Sequence, residues 1–509
     1  MHLGWHTPQI GFATSLATPP PALASERLMA KWEATGNFWR PETPDVVYWG
    51  TIAFLPGVGS KIELDGNILG RSLRTYPSEL PVIFGRLFNG APISCFVCWC
   101  VVDTFITDRE NFRSQVTAQL SVIGGHWMNP GECRPDCLQL KLSHLNEWFE
   151  APYDICYEPE NVDKCLLTFR ADELVADFEF KGEKVRLESF CAHSIPSQIK
   201  PEGGNWQYSH HLVIRPESRQ GLDWMLEVAS SIRDIFVFLI GSGVYTLDVV
   251  GLSDRGEDGQ ARVFHVNLPV AVPRIVRYDS DYFLTRHRDY REEIPNLVKE
   301  WFEHLGNLNV VIGTYRELLC SDGASHTTIL FRTVQTLEHF YGLLWSDDSR
   351  YVKKATFNRF IGWLREHFPS ELEHVSPEEM RSLEANKEVI MPRIGELNNI
   401  SLRSKLERLF KEIPAGILMP ILGNPRDLNE YVFCFLKRLE ASRHYLTHFS
   451  EQQKSQAFSV DEIQDAALIC WAVLTYWMSR KLGLDCARAG GIALKAKNAM
   501  FLVHPRSHL

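Results

Sequence analysis

Two residues near the end of one predicted helix have side chains suited to chemistry on a phosphate group. Arg443 carries a permanent positive charge and a planar fork of donors that matches phosphate oxygens. His448, five positions further on, carries an imidazole that titrates near neutral pH and can therefore give or take a proton. Together they form an Arg-x4-His motif, which combines a fixed cation with a proton carrier.

The helix that carries this motif has an apolar stripe, and Arg443 falls inside it. The stripe consists of Leu428, Val432, Phe435, Leu439 and Leu446. A guanidinium on a core-facing stripe is costly unless an acid pairs with it or it lines a polar cleft. The motif alone is a weak signal, because about one such pair is expected by chance in a chain of this composition. An arginine that caps a carbonyl, next to two solvated histidines, is the competing interpretation.

A metal site is another interpretation of the same helix. His444 and His448 lie four residues apart and share a helix face, as the two histidines of a zinc hydrolase do. Tyr445, however, occupies the position at which that mechanism needs a glutamate base. We therefore assign no metal and no cofactor to this helix, and we expect His444 to supplement His448.

Four cysteines give a second pattern compatible with a metal. Cys95 and Cys98 form a C-x2-C pair, and Cys133 and Cys137 form a C-x3-C pair, which suits structural zinc. The residues around Cys95 are typical of a buried strand and lack the turn of a zinc knuckle. Buried thiols that pack as small apolar side chains are therefore the favoured interpretation.

Two kinds of pattern divide the chain. Up to about residue 200, short alternating apolar runs broken by turn residues predict a β-sandwich-like region. Mixed signals follow, and from residue 326 onward the apolar spacing predicts an all-α bundle. Helices are predicted at 327–344, 356–368, 371–387, 394–413, 425–449 and 461–482. The predicted fold class is α+β and multidomain, with an N-terminal arm (1–35), a β-rich domain (36–206), a small α/β connector (207–322) and a helical domain (323–509).

Two of these helices have recognisable start signals. Asn424 before Pro425 predicts a capping side chain followed by a proline at the first helical position. Ser459, followed three residues later by Glu462, predicts a capping box at the start of the last helix.

Charge and composition limit the possible function classes. The 509 residues include 53 Lys+Arg and 63 Asp+Glu, which gives a formal net charge of −10. This excludes a basic protein that coats nucleic acid, so any contact with RNA must use a local basic site. No apolar run reaches the ~20 residues of a membrane span. The 12 cysteines, without an export signal, favour reduced thiols and a cytoplasmic location.

Several short motifs occur in order along the chain. The string Arg-His-Tyr-Leu-Thr-His stands at 443–448, and Val-Gln-Thr-Leu-Glu-His-Phe-Tyr, which contains Glu338, stands at 334–341. The N-terminal motifs are Gly-Asn-Phe-Trp-Arg-Pro (36–41), Gly-Thr-Ile-Ala-Phe (50–54), Ile-Glu-Leu-Asp-Gly (62–66) and Leu-Asn-Glu-Trp-Phe (145–149). In this order they resemble the HEPN ribonuclease superfamily and, within it, the ApeA-type anti-phage proteins. The chain departs from that family at His444, where asparagine is usual.

The resemblance implies a C-terminal HEPN bundle that cleaves RNA, such as tRNA, in an abortive-infection defence. Arg443 and His448 are then the catalytic residues, and a metal-independent attack by the 2′-OH leaves a 2′,3′-cyclic phosphate and a 5′-OH. Glu338 matches the family's glutamate and either acts on Arg443 or His448 or anchors the bundle. Lys437 and Arg438 either add local positive charge for RNA or are merely solvated.

The spacing of the motif sets a geometric condition. Residues five apart lie ~140° apart around a regular helix, so Arg443 and His448 do not share a face. Either the helix distorts near Thr447 or a second helix completes the site. The resemblance implies a homodimer, or a higher even oligomer, and a phage-encoded trigger sensed by the N-terminal region. The alternative is a non-catalytic HEPN module for dimerisation or RNA binding.

Overall fold

Strands dominate the chain up to residue 267, and helices dominate it from residue 287 onward. The predicted α+β class is confirmed. The chain divides into two units, one ending at residue 303 and one beginning at residue 304. The computed structural model describes residues 27–70, 78–104, 112–150, 153–158, 161–169, 173–194, 207–253, 262–270, 280–320, 324–345, 350–448 and 454–503.

The strands of the first unit belong to one large sheet and one separate hairpin. Within the described ranges they are β1 Trp32–Trp39, β2 Tyr48–Leu55, β3 Gly59–Asp65, β4 Ser78–Leu87, β5 Pro92–Thr104, β6 Phe112–Ile123, β7 Cys137–Leu142, β8 Tyr153–Glu158, β9 Asn161–Phe169, β10 Val175–Phe180, β11 Glu183–Ser194, β12 Gln207–Pro216, β13 Thr246–Ser253 and β14 Arg262–Asn267. The hairpin consists of β8 and β9, and the other strands form the sheet.

The first six strands close into a barrel. They follow the order β6-β3-β2-β1-β4-β5 with antiparallel neighbours, and β5 also pairs with β6 along its whole length. Ile52, Ile62 and Val116 lie opposite one another on adjacent strands and are buried. One-sided burial is common to barrels and sandwiches, so alternation along the sequence predicts a β-rich core without distinguishing the two.

The sheet continues beyond the barrel from β6 through β14, β13, β7, β12, β11 and β10. Strands β12 to β14 come from the segment predicted as a connector, and they hydrogen-bond within this same sheet. The tight turn between β10 and β11 has positive φ at both Lys181 (52°) and Gly182 (82°), which suits a two-residue hairpin. The boundaries at residues 206 and 322 stay predictions.

Three helices pack against this sheet or beside it: α1 Leu145–Phe149, α2 Leu222–Ile240 and α3 His287–Tyr290. The last six residues of α2 are all buried, so the longest apolar run of the sequence lies in a core. Trp148 of α1 packs edge-on against Phe236 of α2, with ring centres 5.0 Å apart. No helix in the parts of the chain covered by the structure is long and apolar enough to cross a membrane.

The division between the units falls inside α4 Ile294–Cys320, and helices follow it to the end of the described chain. They are α5 His326–Leu344, α6 Lys354–His367, α7 Pro377–Ala385, α8 Lys387–Glu396, α9 Leu402–Lys411, α10 Ala415–Ile421, α11 Leu428–His448, α12 Val460–Lys481 and α13 Cys486–Val503. Helix α12 is the centre of the bundle, because all residues from 466 to 476 are buried and it packs against α5 and α13.

The two predicted helix starts have different outcomes. The capping box is confirmed, because the Ser459 hydroxyl accepts from the Glu462 amide and the Glu462 carboxylate accepts from the Ser459 amide. The cap at Asn424 is wrong. Helix α11 begins at Leu428, and the Asp427 carboxylate accepts from the Glu430 amide at 3.0 Å. Asn424 instead adopts a left-handed φ of 58°, just after the end of α10.

One buried hydrogen bond connects α4 to α12 and gives a stability prediction. The hydroxyls of Tyr315 and Thr475 lie 2.8 Å apart in the core of the second unit. We expect Tyr315→Phe to lower the free energy of unfolding by about 1–3 kcal/mol, because Thr475 loses this partner in a buried place. The double variant Tyr315→Phe/Thr475→Val is expected to lose less than the two single variants combined. Thermal or denaturant unfolding checks this, and additive losses would contradict it.

Candidate active site

Helix α11 positions the Arg-x4-His motif by burying the stripe that precedes it. Val432, Phe435 and Leu439 are buried, while Leu428 and Leu446 are half-buried at its two ends. The helix runs without a break from Leu428 to His448. Arg443 therefore emerges where the buried part of the stripe ends, at the edge of the core.

Arg443 is half-buried and paired with an acid. Its Nη1 donates to Oε2 of Glu338 on α5 at 3.3 Å, and 36% of its side chain is exposed. Arg443 also borders a small pocket between α5 and α11, whose other lining residues are Leu330, Phe331, Val334, Leu439 and Leu446. The cost of a cation at this position is thus offset by a carboxylate from the neighbouring helix.

Glu338 also binds a second cation, which the sequence analysis missed. Its Oε1 accepts from Nζ of Lys405 on α9 at 2.9 Å, while its other oxygen faces Arg443. One carboxylate therefore connects α5, α9 and α11. The sequence does contain a signal for this contact. Lys405 lies on the predicted helix 394–413, directly before Leu406, which belongs to the buried face of that helix. Such a position at the border of an apolar face brings a lysine close to neighbouring helices.

The other predicted site residues lie in three different situations. Lys437 and His444 are exposed on α11. Arg438 forms a bidentate pair with Glu462 of α12, at 2.7 and 2.6 Å, and its guanidinium lies 4.7 Å from the ring centre of Phe458. His448 is the last residue of α11, and its side chain lies outside the described part of the structure. The structure therefore brings Glu338 and Arg443 together and places Arg438 in a contact between α11 and α12.

The continuity of α11 bears on the geometric condition set by the motif. A regular helix up to residue 448 keeps Arg443 and His448 ~140° apart around its axis. The structure gives no distortion at Thr447 that would bring the two residues onto one face.

The segment that leads into α12 makes one further contact with α11. The Ser442 hydroxyl accepts from the Phe458 amide at 2.8 Å and donates to the Arg438 carbonyl at 2.8 Å. Together with the pair between Arg438 and Glu462, this holds the start of α12 against the helix turn that precedes Arg443. The position of the motif is thus set by α12 as well as by α5 and α9.

The cysteines are buried in the first unit. Cys95, Cys98, Cys133 and Cys137 each have 4% of their surface exposed or less. Burial raises the pKa of Cys98 and of Cys133 to about 12, so these thiols are neutral at physiological pH when no metal is bound. Where the structure describes the chain, it contains no cluster of three His, Cys, Asp or Glu side chains able to hold a metal.

Glu462 gives a prediction about stability and pH. Its hydrogen bonds with Arg438, and next those with Ser459, lower its pKa to about 2. Since this pKa lies below the ordinary value of about 4.3, the carboxylate stabilises the fold at neutral pH and loses that effect as pH falls below about 4. We expect Glu462→Gln to lower the free energy of unfolding by about 1 kcal/mol at pH 7, because the pair is largely solvated.

The measurement is denaturant unfolding of both forms between pH 7 and pH 3. The difference between wild type and Glu462→Gln is expected to shrink as the pH falls. Asp461→Asn is the matched control, since it removes an exposed carboxylate from the same helix turn. If the difference in unfolding free energy between wild type and Glu462→Gln grows toward low pH, the lowered pKa of Glu462 is contradicted.

Comparison with protein families identifies both units. Residues 33–301 match the family model described as ApeA N-terminal domain 1. The chain belongs to the ApeA family. Residues 332–488, which include Glu338, Lys405, Arg443 and His448, match the model described as Apea-like HEPN. Searches of curated proteins and of solved structures give no significant match.

The two matches support an anti-phage effector of the HEPN type. HEPN domains are generally ribonuclease-like, although non-catalytic examples occur, and they typically dimerise and bind RNA. The contact between Glu338 and Arg443 in this ApeA protein lies within the matched HEPN region.

Proposed function

We propose that this ApeA protein is an endoribonuclease that cleaves RNA without a metal and thereby stops phage growth in the infected cell. The observation that carries the proposal is the half-buried Arg443, held by Glu338 at the junction of α5, α9 and α11. It lies on the same helix as His448, inside the region that matches an HEPN domain. A permanent cation and an imidazole are the groups that such a cleavage requires.

The proposed reaction is an internal transfer at one phosphodiester. The RNA 2′-OH loses its proton and attacks phosphorus, the bond from phosphorus to the 5′ oxygen breaks, and that oxygen gains a proton. His448 carries out proton transfer, and Arg443 stabilises the negative charge that develops on the phosphate oxygens. The products are a 2′,3′-cyclic phosphate and a 5′-OH, and no water or metal enters the step.

We further propose that the active form is a homodimer, or a higher even oligomer, formed through the helical domain. The support is the regular helix α11, which keeps Arg443 and His448 on different faces. Two copies of α11 facing one another supply two guanidiniums and two imidazoles to one cleft, one imidazole for each proton transfer. A fully active monomer, established by light scattering of the active sample, would contradict this arrangement.

The substrate and the trigger complete the proposal. We propose that the RNA is tRNA or another structured RNA in the cytoplasm. We also propose that the N-terminal region restrains the nuclease until it senses a phage-encoded component. An unrestrained ribonuclease is toxic, so an inactive state is needed. The net charge of −10 supports such restraint, because it disfavours RNA binding away from a local basic site.

The test is RNA analysis in cells that express wild type, Arg443→Ala or His448→Ala, with and without phage. We expect RNA fragments only with wild type and phage, with 2′,3′-cyclic phosphate ends found by end-mapping. Intact RNA in every sample, with protection unchanged by either substitution, would favour a non-catalytic dimerisation or RNA-binding module. Cleavage that a chelator abolishes would favour metal-dependent hydrolysis.

A further inference from the structure

We propose that Lys405 of α9 binds a backbone phosphate of the RNA, next to the phosphate that Arg443 binds. This inference rests on the proposed nuclease function and adds a substrate-binding residue from a helix outside the Arg-x4-His motif. Lys405 is a binding residue and takes no part in proton transfer.

The position of Lys405 carries the inference. Its Nζ and Nη1 of Arg443 contact opposite oxygens of the Glu338 carboxylate, at 2.9 and 3.3 Å. The shared carboxylate therefore keeps the two cations side by side. The three side chains are between 21% and 36% exposed, so each remains open to a ligand on one side. An RNA strand that reaches Arg443 then passes within reach of Lys405.

The charge of this cluster favours an anion. Two cations share one carboxylate, which leaves one positive charge in a half-buried place. A phosphate group of the RNA that enters the cluster neutralises this positive charge. RNA carries one negative charge per nucleotide, so a strand whose phosphate binds Arg443 also brings an adjacent phosphate toward Lys405.

The other cations of α9 are engaged elsewhere. The guanidinium of Arg403 lies 4.4 Å from the ring centre of Phe433, and that of Arg408 lies 4.4 Å from the ring centre of Trp345. Lys411 pairs with Glu407 on its own helix at 2.6 Å. Lys405 is thus the cation of α9 that contacts the carboxylate of the site, and Lys411 provides a matched control on the same helix.

The experiment measures binding of bulk tRNA to the full-length protein, with His448→Ala as a background that slows cleavage. Into this background we introduce Lys405→Met, which keeps length and removes charge, Lys405→Arg, which keeps charge, and Lys411→Met. We expect Lys405→Met to weaken binding about tenfold. The slope of log affinity against log salt is expected to become shallower by about 0.7–0.9, the value for one lost phosphate contact. Lys405→Arg is expected to restore most of the affinity, and Lys411→Met to leave it unchanged.

A second measurement separates binding from a purely structural role. In the otherwise unaltered protein, Lys405→Met is expected to raise KM for RNA with little change in kcat, because the contact is equal in ground and transition states. Unchanged KM, affinity and salt slope would overturn the inference while cleavage by wild type still supports the nuclease. Loss of thermal stability without rescue by Lys405→Arg would also overturn it. If wild type does not cleave RNA and the His448→Ala form does not bind it, the proposed function itself fails.

Discussion

Replacing Arg443 with alanine is expected to slow RNA cleavage by about 100- to 1000-fold. This is the size of the loss when an enzyme loses one preorganised donor to the charge of a transition state. The loss is expected mainly in kcat, because the charge on the phosphate oxygens grows as the reaction proceeds. RNA from phage-infected cells, or cleavage by the purified activated protein, provides the measurement.

Arg443→Lys is the matched variant, since it keeps the charge but lacks the planar fork. We expect its rate to fall between those of wild type and Arg443→Ala. Arg403→Ala is the control for another arginine of the same domain, because the Arg403 guanidinium lies against the ring of Phe433, 4.4 Å from its centre. A rate for Arg443→Ala within a factor of about three of wild type would show that Arg443 is structural.

Replacing His448 with alanine is expected to slow cleavage by about 100- to 10,000-fold, the usual range for loss of a general acid or base. The residual activity is expected to lose the dependence on pH near neutrality that an imidazole gives to the wild-type enzyme. The measurement is the rate of cleavage between pH 5 and pH 9 for both forms.

His444→Ala is the matched control, since it removes the other imidazole of the same helix turn. We expect a smaller loss, with the pH dependence retained, because His444 only supplements His448. If His444→Ala and His448→Ala are equally damaging, and added zinc or a chelator changes the rate, then the paired-histidine metal site becomes the better interpretation. Equal cleavage rates for wild type and both variants would contradict proton transfer by His448.

The fold could be predicted from the sequence wherever a pattern has a local cause. Helical spacing predicts the stripe of α11, and the capping box at Ser459 depends on residues within one turn. The prediction of a cap at Asn424 failed because Asp427, three residues later, also offers a side-chain oxygen that can accept from a helix amide, and only Asp427 lies at the start of the helix. Closure of the barrel depends on pairing between β5 and β6 together with the order of the other strands, which alternation does not encode.

The candidate site likewise contains one contact that the local sequence indicates and one that depends on the tertiary structure. An arginine inside an apolar stripe predicts a paired or cleft-lining cation, and Arg443 is paired with Glu338. The second partner of Glu338 is 67 residues away in the chain, on another helix. Its contact depends on how α9 packs against α5, so it becomes visible only in three dimensions. Glu462 combines the two cases. Its role in the capping box is predicted from the local sequence, but it also binds Arg438 of another helix, and the sequence gives no sign of that contact.

The closed ring of β1 to β6 has a consequence for association between copies of this protein. Within the described strands, every strand of the ring has neighbouring strands on both sides. Exposed strand edges are the usual starting points of aggregation, and a ring removes them. The opposite end of the same sheet finishes with β10, whose exposed side chains include the acidic Asp177 and Glu179. Association through strand edges is therefore opposed by ring closure at one end of the sheet and by charged side chains on the edge strand at the other.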